Sequence, residues 1–325
     1  MNRAFLIAAV LWISTPAAAA DPLWQNELNW LKTMMFAAHQ TDYSGIFVYQ
    51  YGSHVETSHI THIVDRDGEH ERLEGLDGAR REIIRSNGQV WCYLGDSKVR
   101  VEERQSGRRF PAVLPEQLSL LNENYLIRHM EEGRIAGFHA HAILFKPRDA
   151  LRYGHRMWAH SDSGLLLKEE VLDENGSVIE QSTFIQLTIG GKFDRSWIEA
   201  NKPDAAMPSR DAQRDSLPRA EAEINASGWQ VDMLPPGFKK ITEVLRPLRG
   251  KRMPALQMVF SDGMASISVF IETIYGELGN HLGLSSQGAM QVYSKVSGEH
   301  LLTVVGEVPP RTVKQVADSV RYSRK

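Results

Sequence analysis

Histidine is the side chain best suited to bind a metal or move a proton near neutral pH, and the sequence holds 12 of them. His139 and His141 alternate as neighbours on one strand face do, and His129, His155 or His160 would complete an imidazole set of the kind zinc takes. So many histidines produce close pairs without a metal, no HExxH run is present, and ordinary hydrogen-bonding roles are the simpler reading. Gly283-Leu284-Ser285-Ser286-Gln287-Gly288 puts serine in a glycine turn but lacks the glycine that closes GxSxG, and no spacing orders Asp262 and His281 as its helpers. Gly190-Gly191-Lys192 lacks the longer loop of a phosphate-binding lysine. The adjacent carboxylates Glu102-Glu103, Glu131-Glu132 and Glu169-Glu170 point to opposite faces of a strand, whereas glycosidase chemistry needs two groups across a cleft, so they read as surface charge. No catalytic, cofactor or metal constellation results, and the chain reads as a non-enzyme.

Charge narrows the partners. A formal net charge of −3 gives no general attraction to phosphate backbones, so no nucleic-acid partner is expected. Arg80-Arg81, Arg108-Arg109 and the stretch from Arg246 to Arg252 are local sources of guanidinium for a carboxylate or an anionic headgroup. Cys92 is the single cysteine, so the chain has no internal disulfide, and its strand-like neighbours read as those of a buried, inert thiol, with a reactive thiol or an intermolecular disulfide as the alternative.

Residues 1–20 combine Arg3, an apolar run from Ala4 to Ile13 and a small-residue ending at Ala20, the pattern of a cleaved export signal with Asp21 beginning the mature chain. Pro22 can open a helix, and Leu23, Trp24, Leu28, Leu31, Met35 and Ala38 recur at helical spacing. From Tyr43 the period becomes two. Strands are expected at Tyr43–Tyr51, His54–Val64, Glu82–Arg85 and Gln89–Leu94, the last pair joined by the tight-turn residues Asn87-Gly88. Asp65 to Gly68 reads as a turn, and Arg66, Glu69, Glu71 and Arg72 as a charged exterior. Residues 97–124 give no firm assignment; strands resume at Ala136–Phe145, Arg156–Ala159, Leu165–Leu172 and Val178–Ile189, with turns short enough for antiparallel neighbours.

Lys202 to Glu223 carries three prolines among charged and small residues and reads as a linker. Beyond Trp229, the pairs Leu256–Phe260 with Met264–Glu272 and Met290–Ser294 with Leu301–Val305 again predict antiparallel strands. Val313, Val316, Ala317 and Val320 then form the apolar face of a helix that should cover this smaller sheet. The division expected is 1–20 signal peptide, 21–200 first domain, 201–225 linker and 226–325 second domain.

Longer runs carry more information than these isolated motifs. Tyr43-Ser44-Gly45-Ile46-Phe47-Val48-Tyr49, Arg81-Glu82-Ile83-Ile84-Arg85, Arg152-Tyr153-Gly154-His155-Arg156-Met157-Trp158, Leu234-Pro235-Pro236-Gly237-Phe238, the segment Ser261–Glu272 and Val304-Val305-Gly306-Glu307-Val308-Pro309 resemble, in order, the MucB/RseB family of periplasmic sigma-E regulators. The resemblance implies a mainly β, α+β fold: a LolA/LolB-like incomplete antiparallel β-barrel crossed by helices, plus a smaller antiparallel α+β domain. It also implies a periplasmic protein that binds the periplasmic region of a membrane-spanning anti-sigma factor and shields it from site-1 proteolysis, with relief by lipopolysaccharide-like or other lipid signals. A lipid or lipoprotein carrier is the alternative, and a homo-oligomer stays open. On this reading Phe47, Tyr49, Trp91, Phe145 and Trp158 are candidates for an apolar lipid cavity, while Arg246, Arg249, Lys251 and Arg252 are candidates for pairing with an acidic partner segment.

Overall fold

The computed structural model describes residues 22–87, 89–95, 97–102, 109–115, 117–200, 227–248, 253–275 and 282–323. The expected leader, the linker at 202–223, Gly88, His281, Arg249, Lys251 and Arg252 lie outside them.

Helix α1 (Pro22–Gln40) buries Leu31, Met34, Ala37 and Ala38, so its apolar stripe is the packing face that its spacing predicted. It packs on a single antiparallel sheet of β1 (Tyr43–Tyr51), β2 (His54–Asp65), β3 (Gly68–Gly75), β4 (Arg81–Ser86), β5 (Gln89–Leu94), β6 (Ser97–Glu102), β7 (Tyr125–Ile135), β8 (Phe138–Pro147), β9 (Gly154–His160), β10 (Leu166–Leu172) and β11 (Val178–Ile189). A short helix α2 (Leu121–Asn124) precedes β7. The strand order is β6-β5-β4-β3-β2-β1-β11-β10-β9-β8-β7, so the sheet folds outward from the β1–β11 pair and its edges β6 and β7 stay unjoined. This is the incomplete barrel that the resemblance implied. Ser86 pairs with Gln89 across a two-residue turn in which Asn87 has φ 50°, the left-handed backbone that the Asn-Gly pair anticipates.

Two charged stretches read as exterior from the sequence are in part buried. Residues 68–75 form β3, and Glu71 is buried rather than exterior because Arg85 and Arg109 both approach its carboxylate. Glu169 and Glu170 are likewise buried, Glu169 hydrogen-bonded to His155 at 3.2 Å and Glu170 to Arg156 and Lys168. Charge on a strand is no guide to exposure when the neighbouring strand supplies the counter-charge.

The faces of the large sheet are covered differently. On the concave side Tyr43, Phe47, Ile60, Leu167 and Phe184 join one apolar cluster, and Leu31, Met34, Leu121, Tyr125, Phe145 and Met157 form another beneath α1. On the opposite side Trp91 packs with Ile63, Ile84 and two residues of α3 (Ser196–Ala200), Trp197 and Ile198.

The second sheet contains β13 (Lys239–Arg246), β14 (Ala255–Ser261), β15 (Ser266–Thr273), β16 (Gly283–Gln287), β17 (Met290–Ser297) and β18 (His300–Gly306), ordered β13-β14-β15-β18-β17-β16. Helix α4 (Pro310–Asp318) lays Val313, Val316 and Ala317 in one core with Val304, Leu302 and Ile267, as their spacing predicted, whereas Val320, expected on the same helix face, lies past the helix end and pairs with Val231 as a strand residue. A two-stranded pair, β12 (Trp229–Val231) with β19 (Val320–Tyr322), closes the end. The glycine turn read at 283–288 is the edge strand β16 followed by its hairpin turn.

Candidate partner and ligand surfaces

The two sheets meet at a buried polar knot. Arg152, in the β8–β9 connection, sends Nη1 to Asp262 Oδ2 and holds Asp149 with Nη2 at 2.9 Å and Nε at 3.2 Å, while Nη2 also donates to the Pro236 carbonyl. The side chains of Arg152 and Asp262 are both 0% exposed. Asp262 Oδ1 accepts the backbone N–H groups of Met264 at 2.9 Å and Ala265 at 2.8 Å, which fixes the β14–β15 turn. The Arg152 guanidinium also lies 5.6 Å from the Tyr125 ring centroid and 5.4 Å from that of Phe238. Burial works against its charge, but the Asp149 hydrogen bond and the negative charge of Asp262 more than offset this and hold its pKa above the usual arginine value.

Apolar and backbone contacts extend the knot. Met264, from the second sheet, is fully buried in the same cluster as Tyr125 and Phe145 of the first. Thr312 Oγ1 donates to the Leu151 carbonyl at 2.8 Å, and the Ala289 N–H donates to Glu180 at 2.9 Å. Gly237, at φ 80°, lets the chain pass Asn124; a Cβ there would lie 2.3 Å from the Asn124 amide. Asp262, weighed from sequence as a helper for serine chemistry, is thus a structural anion. Among the described residues no group of three metal-ligating side chains converges. His155 binds Glu169, His160 lies 2.8 Å from Ser163, and His141 lies 3.4 Å from Glu132.

Beside the knot runs a groove of about 920 Å³ with both sheets in its walls. Met130, Leu144, Lys146 and Ile179 come from the first, Gln291 from the second and Arg311 from α4. Phe145 reaches this groove from the core, whereas Phe47 and Tyr49 line a separate cavity of about 590 Å³ on the concave face. Trp158 shares the apolar cluster of Phe47, with the Lys168 ammonium 4.8 Å and the Arg156 guanidinium 4.9 Å from its ring. Trp91 is on the opposite face, so the five aromatic candidates are not brought to one place. Of the basic candidates, Arg246 ends β13 and donates to Gln257 at 3.0 Å. Sequence reading did not pair Arg152 with Asp262, which are 110 positions apart. The available signal was that both fall in runs carrying the family resemblance, where a buried arginine needs a carboxylate.

The sequence matches the family description MucB/RseB N-terminal domain over residues 26–202 and MucB/RseB C-terminal domain over residues 223–321. It is 33% identical over 300 residues to the sigma factor AlgU regulatory protein MucB of Pseudomonas aeruginosa, covering 90% of each chain. It is 26% identical to the sigma-E factor regulatory protein RseB of Salmonella typhimurium, covering 98% of this chain and 96% of that one. The fold superposes on the Pseudomonas aeruginosa MucA/MucB complex structure with a TM-score of 0.70 at 29% identity, covering 92% of this chain and 100% of that chain. A structure of MucB in complex with MucA(peri) gives 0.69 at the same identity, covering 92% and 99%. With both halves matched in order and the fold shared, this chain belongs to the MucB/RseB family of periplasmic envelope-stress regulators.

Proposed function

We propose that this protein binds the periplasmic segment of a membrane-spanning anti-sigma factor along the groove between its two sheets, and that occupancy sterically denies the site-1 protease its cleavage site. The observation that carries the reading is the groove's composition, with apolar Met130, Leu144 and Ile179 beside Lys146, with Arg311 held by Glu174, and with walls from both domains. Such a surface, apolar with charge of both signs along it, suits an extended segment whose apolar side chains alternate with charged ones. The relative crystallised as MucB in complex with MucA(peri) supports this class of partner. The mechanism needs no bond-making residue.

A groove made by two domains is sensitive to their relative position. A lipid that binds an altered arrangement more tightly releases the partner by that difference in affinity, which is how lipopolysaccharide-like signals would relieve inhibition. The basic set Arg246, Arg249, Lys251 and Arg252 contributes to the encounter with an acidic segment, so charge reversal there weakens association and flattens its salt dependence.

The groove is tested by titrating the cognate anti-sigma periplasmic fragment into wild type and into Met130→Asp and Lys146→Glu, two exposed positions on its wall. Each substitution should weaken binding by about tenfold, the size of one lost apolar or charged contact. Unchanged affinity in both rejects the groove as the docking surface. The concave cavity favours a second reading, a lipid carrier, which requires stoichiometric cargo and its transfer between membranes.

A further inference from the structure

The junction between the domains is strong at one end and weak at the other. At the strong end the side chains of Arg152 and Asp262 are buried against each other and held by further polar partners, and Thr312 bonds the Leu151 carbonyl alongside them. At the other end Gln291, from β17, meets Tyr153, from the β8–β9 connection. Gln291 is 4% exposed, and its Oε1 is buried with no donor among the described residues. Its Nε2 lies 3.4 Å from the Tyr153 hydroxyl and 3.5 Å from the Gly288 carbonyl. Both are longer than the roughly 2.7–3.2 Å of an ordinary N–H···O bond. Turned over, the amide would set its oxygen towards the Gly288 carbonyl and leave its NH2 group unanswered instead. A buried amide with one atom unanswered costs free energy, and that cost is recovered when the domains part and water reaches it.

Around this amide the two domains share a small apolar cluster. Tyr153, Val171 and Ala289 are buried together, with Ile179 packed against them. Tyr153 and Ile179 line the groove and Val171 lines the concave cavity, so the cluster has an edge in each. Ala289, from the β16–β17 turn, donates its N–H to Glu180 at 2.9 Å, and a Cβ on Gly288 would lie 3.2 Å from Tyr51, so this turn rests directly on β1 and β11. Arg311 and Glu174 also pair beside the groove, but both side chains are more than half exposed, where an ion pair contributes little.

We propose that this seam is a gate between the two cavities: the second domain tilts about the Arg152–Asp262 anchor, Gln291 parts from Tyr153, and the Tyr153–Val171–Ala289 cluster opens to join the concave cavity to the groove. The groove loses the wall that Gln291 supplies in the open arrangement, so a ligand entering the seam from the cavity and a segment lying in the groove oppose each other. This places the lipid-release step proposed above at one seam and rests on that reading only for its consequence; the opening itself is a property of the junction.

Residue-resolved amide hydrogen exchange of the mature protein, without partner or lipid, reads the gate. The Ala289 N–H crosses the seam, whereas the Met264 and Ala265 N–H groups are held by Asp262 at the anchor. Ala289 should exchange at least about tenfold faster than those two. Gln291→Met keeps the side-chain volume and removes the unanswered amide, so it should slow Ala289 by at least about fivefold and leave Met264 and Ala265 unchanged. Tyr153→Phe removes the hydroxyl facing the amide and should speed Ala289 by about twofold or more, which tests the gate even if the methionine variant folds poorly. Ala289 exchanging as slowly as Met264, or exchange at Ala289 that is unchanged or faster in Gln291→Met, overturns the gate. Slowed Ala289 in Gln291→Met with unchanged lipopolysaccharide-driven release of the anti-sigma fragment keeps the gate and overturns its part in release.

Discussion

Replacing Asp262 with alanine should be among the most damaging single changes at the domain junction. The substitution leaves the Arg152 guanidinium buried with only Asp149 and the Pro236 carbonyl as polar partners, and removes the acceptor of the Met264 and Ala265 N–H groups. Deleting one member of a buried ion pair costs about 3–5 kcal/mol, and each orphaned buried donor about 1–3 kcal/mol. Asp149 retains part of the Arg152 charge interaction, so the expected loss for Asp262→Ala is about 3–5 kcal/mol in total. Asp262→Asn keeps an oxygen for both N–H groups and removes only the charge, so it should lose about 1–3 kcal/mol. Urea unfolding followed by far-ultraviolet circular dichroism and by tryptophan fluorescence measures both, since Trp30, Trp158 and Trp197 report the first domain and Trp229 the second. The alanine variant should also move the two domains' transitions apart, because the buried ion pair among the contacts coupling them is the one removed. A loss below about 1 kcal/mol for Asp262→Ala, or equal losses for alanine and asparagine, refutes the assignment of the junction to this pair.

Met264→Ala should cost about 2–4 kcal/mol, because a fully buried side chain is withdrawn from the first domain's core and the turn that carries it is held by Asp262; the same urea titration reads it. Gly45→Ala should lose about 1–3 kcal/mol, since a Cβ would lie 2.5 Å from the Gln186 carbonyl oxygen in the paired strand, and an unchanged urea midpoint contradicts this. Burial works against the Glu69 carboxylate, but hydrogen bonds and charge from His39 and His62 lower its pKa from 4.5 to about 2. A depressed folded-state value gives stability that is present above pH 4.5 and lost as pH falls towards 2. With 35% of the side chain exposed, screening reduces the contribution to about 1–2 kcal/mol, and Glu69→Gln should flatten melting temperature against pH in that window; parallel curves for the two proteins contradict it.

The parts of the fold legible in the sequence are those with local causes. Asn87, the Ser261-Asp262-Gly263 turn and the Val313, Val316, Ala317 stripe each act within a few residues, and each marks an element that is present. Strands β3, β7 and β13 were not assigned because their alternation is hidden by charge: Glu71 meets Arg85 across the sheet, Met130 to Glu132 face solvent, and Glu243 is buried beside Lys240. The site was less legible for a different reason. Its determinants are distant pairs, Arg152 with Asp262, Glu180 with Ala289 and Thr312 with Leu151, which no window along the chain can contain. The aromatic residues chosen for a cavity were separated by strand parity and by the sheet's curvature, so Phe47 and Tyr49 face the cavity while Trp91 packs on the other side under α3.

The central claim is that this protein inhibits proteolysis of an anti-sigma factor by occupying it. The direct measurement is the rate at which the cognate site-1 protease cleaves the membrane-embedded anti-sigma factor with and without the mature protein, repeated with lipopolysaccharide added. The account predicts slower cleavage that saturates at one protein per anti-sigma factor, is restored by the lipid, and is weakened in Met130→Asp and Lys146→Glu in proportion to their loss of affinity. Cleavage at the same rate whether or not the protein is present, with the protease shown to be active, contradicts it.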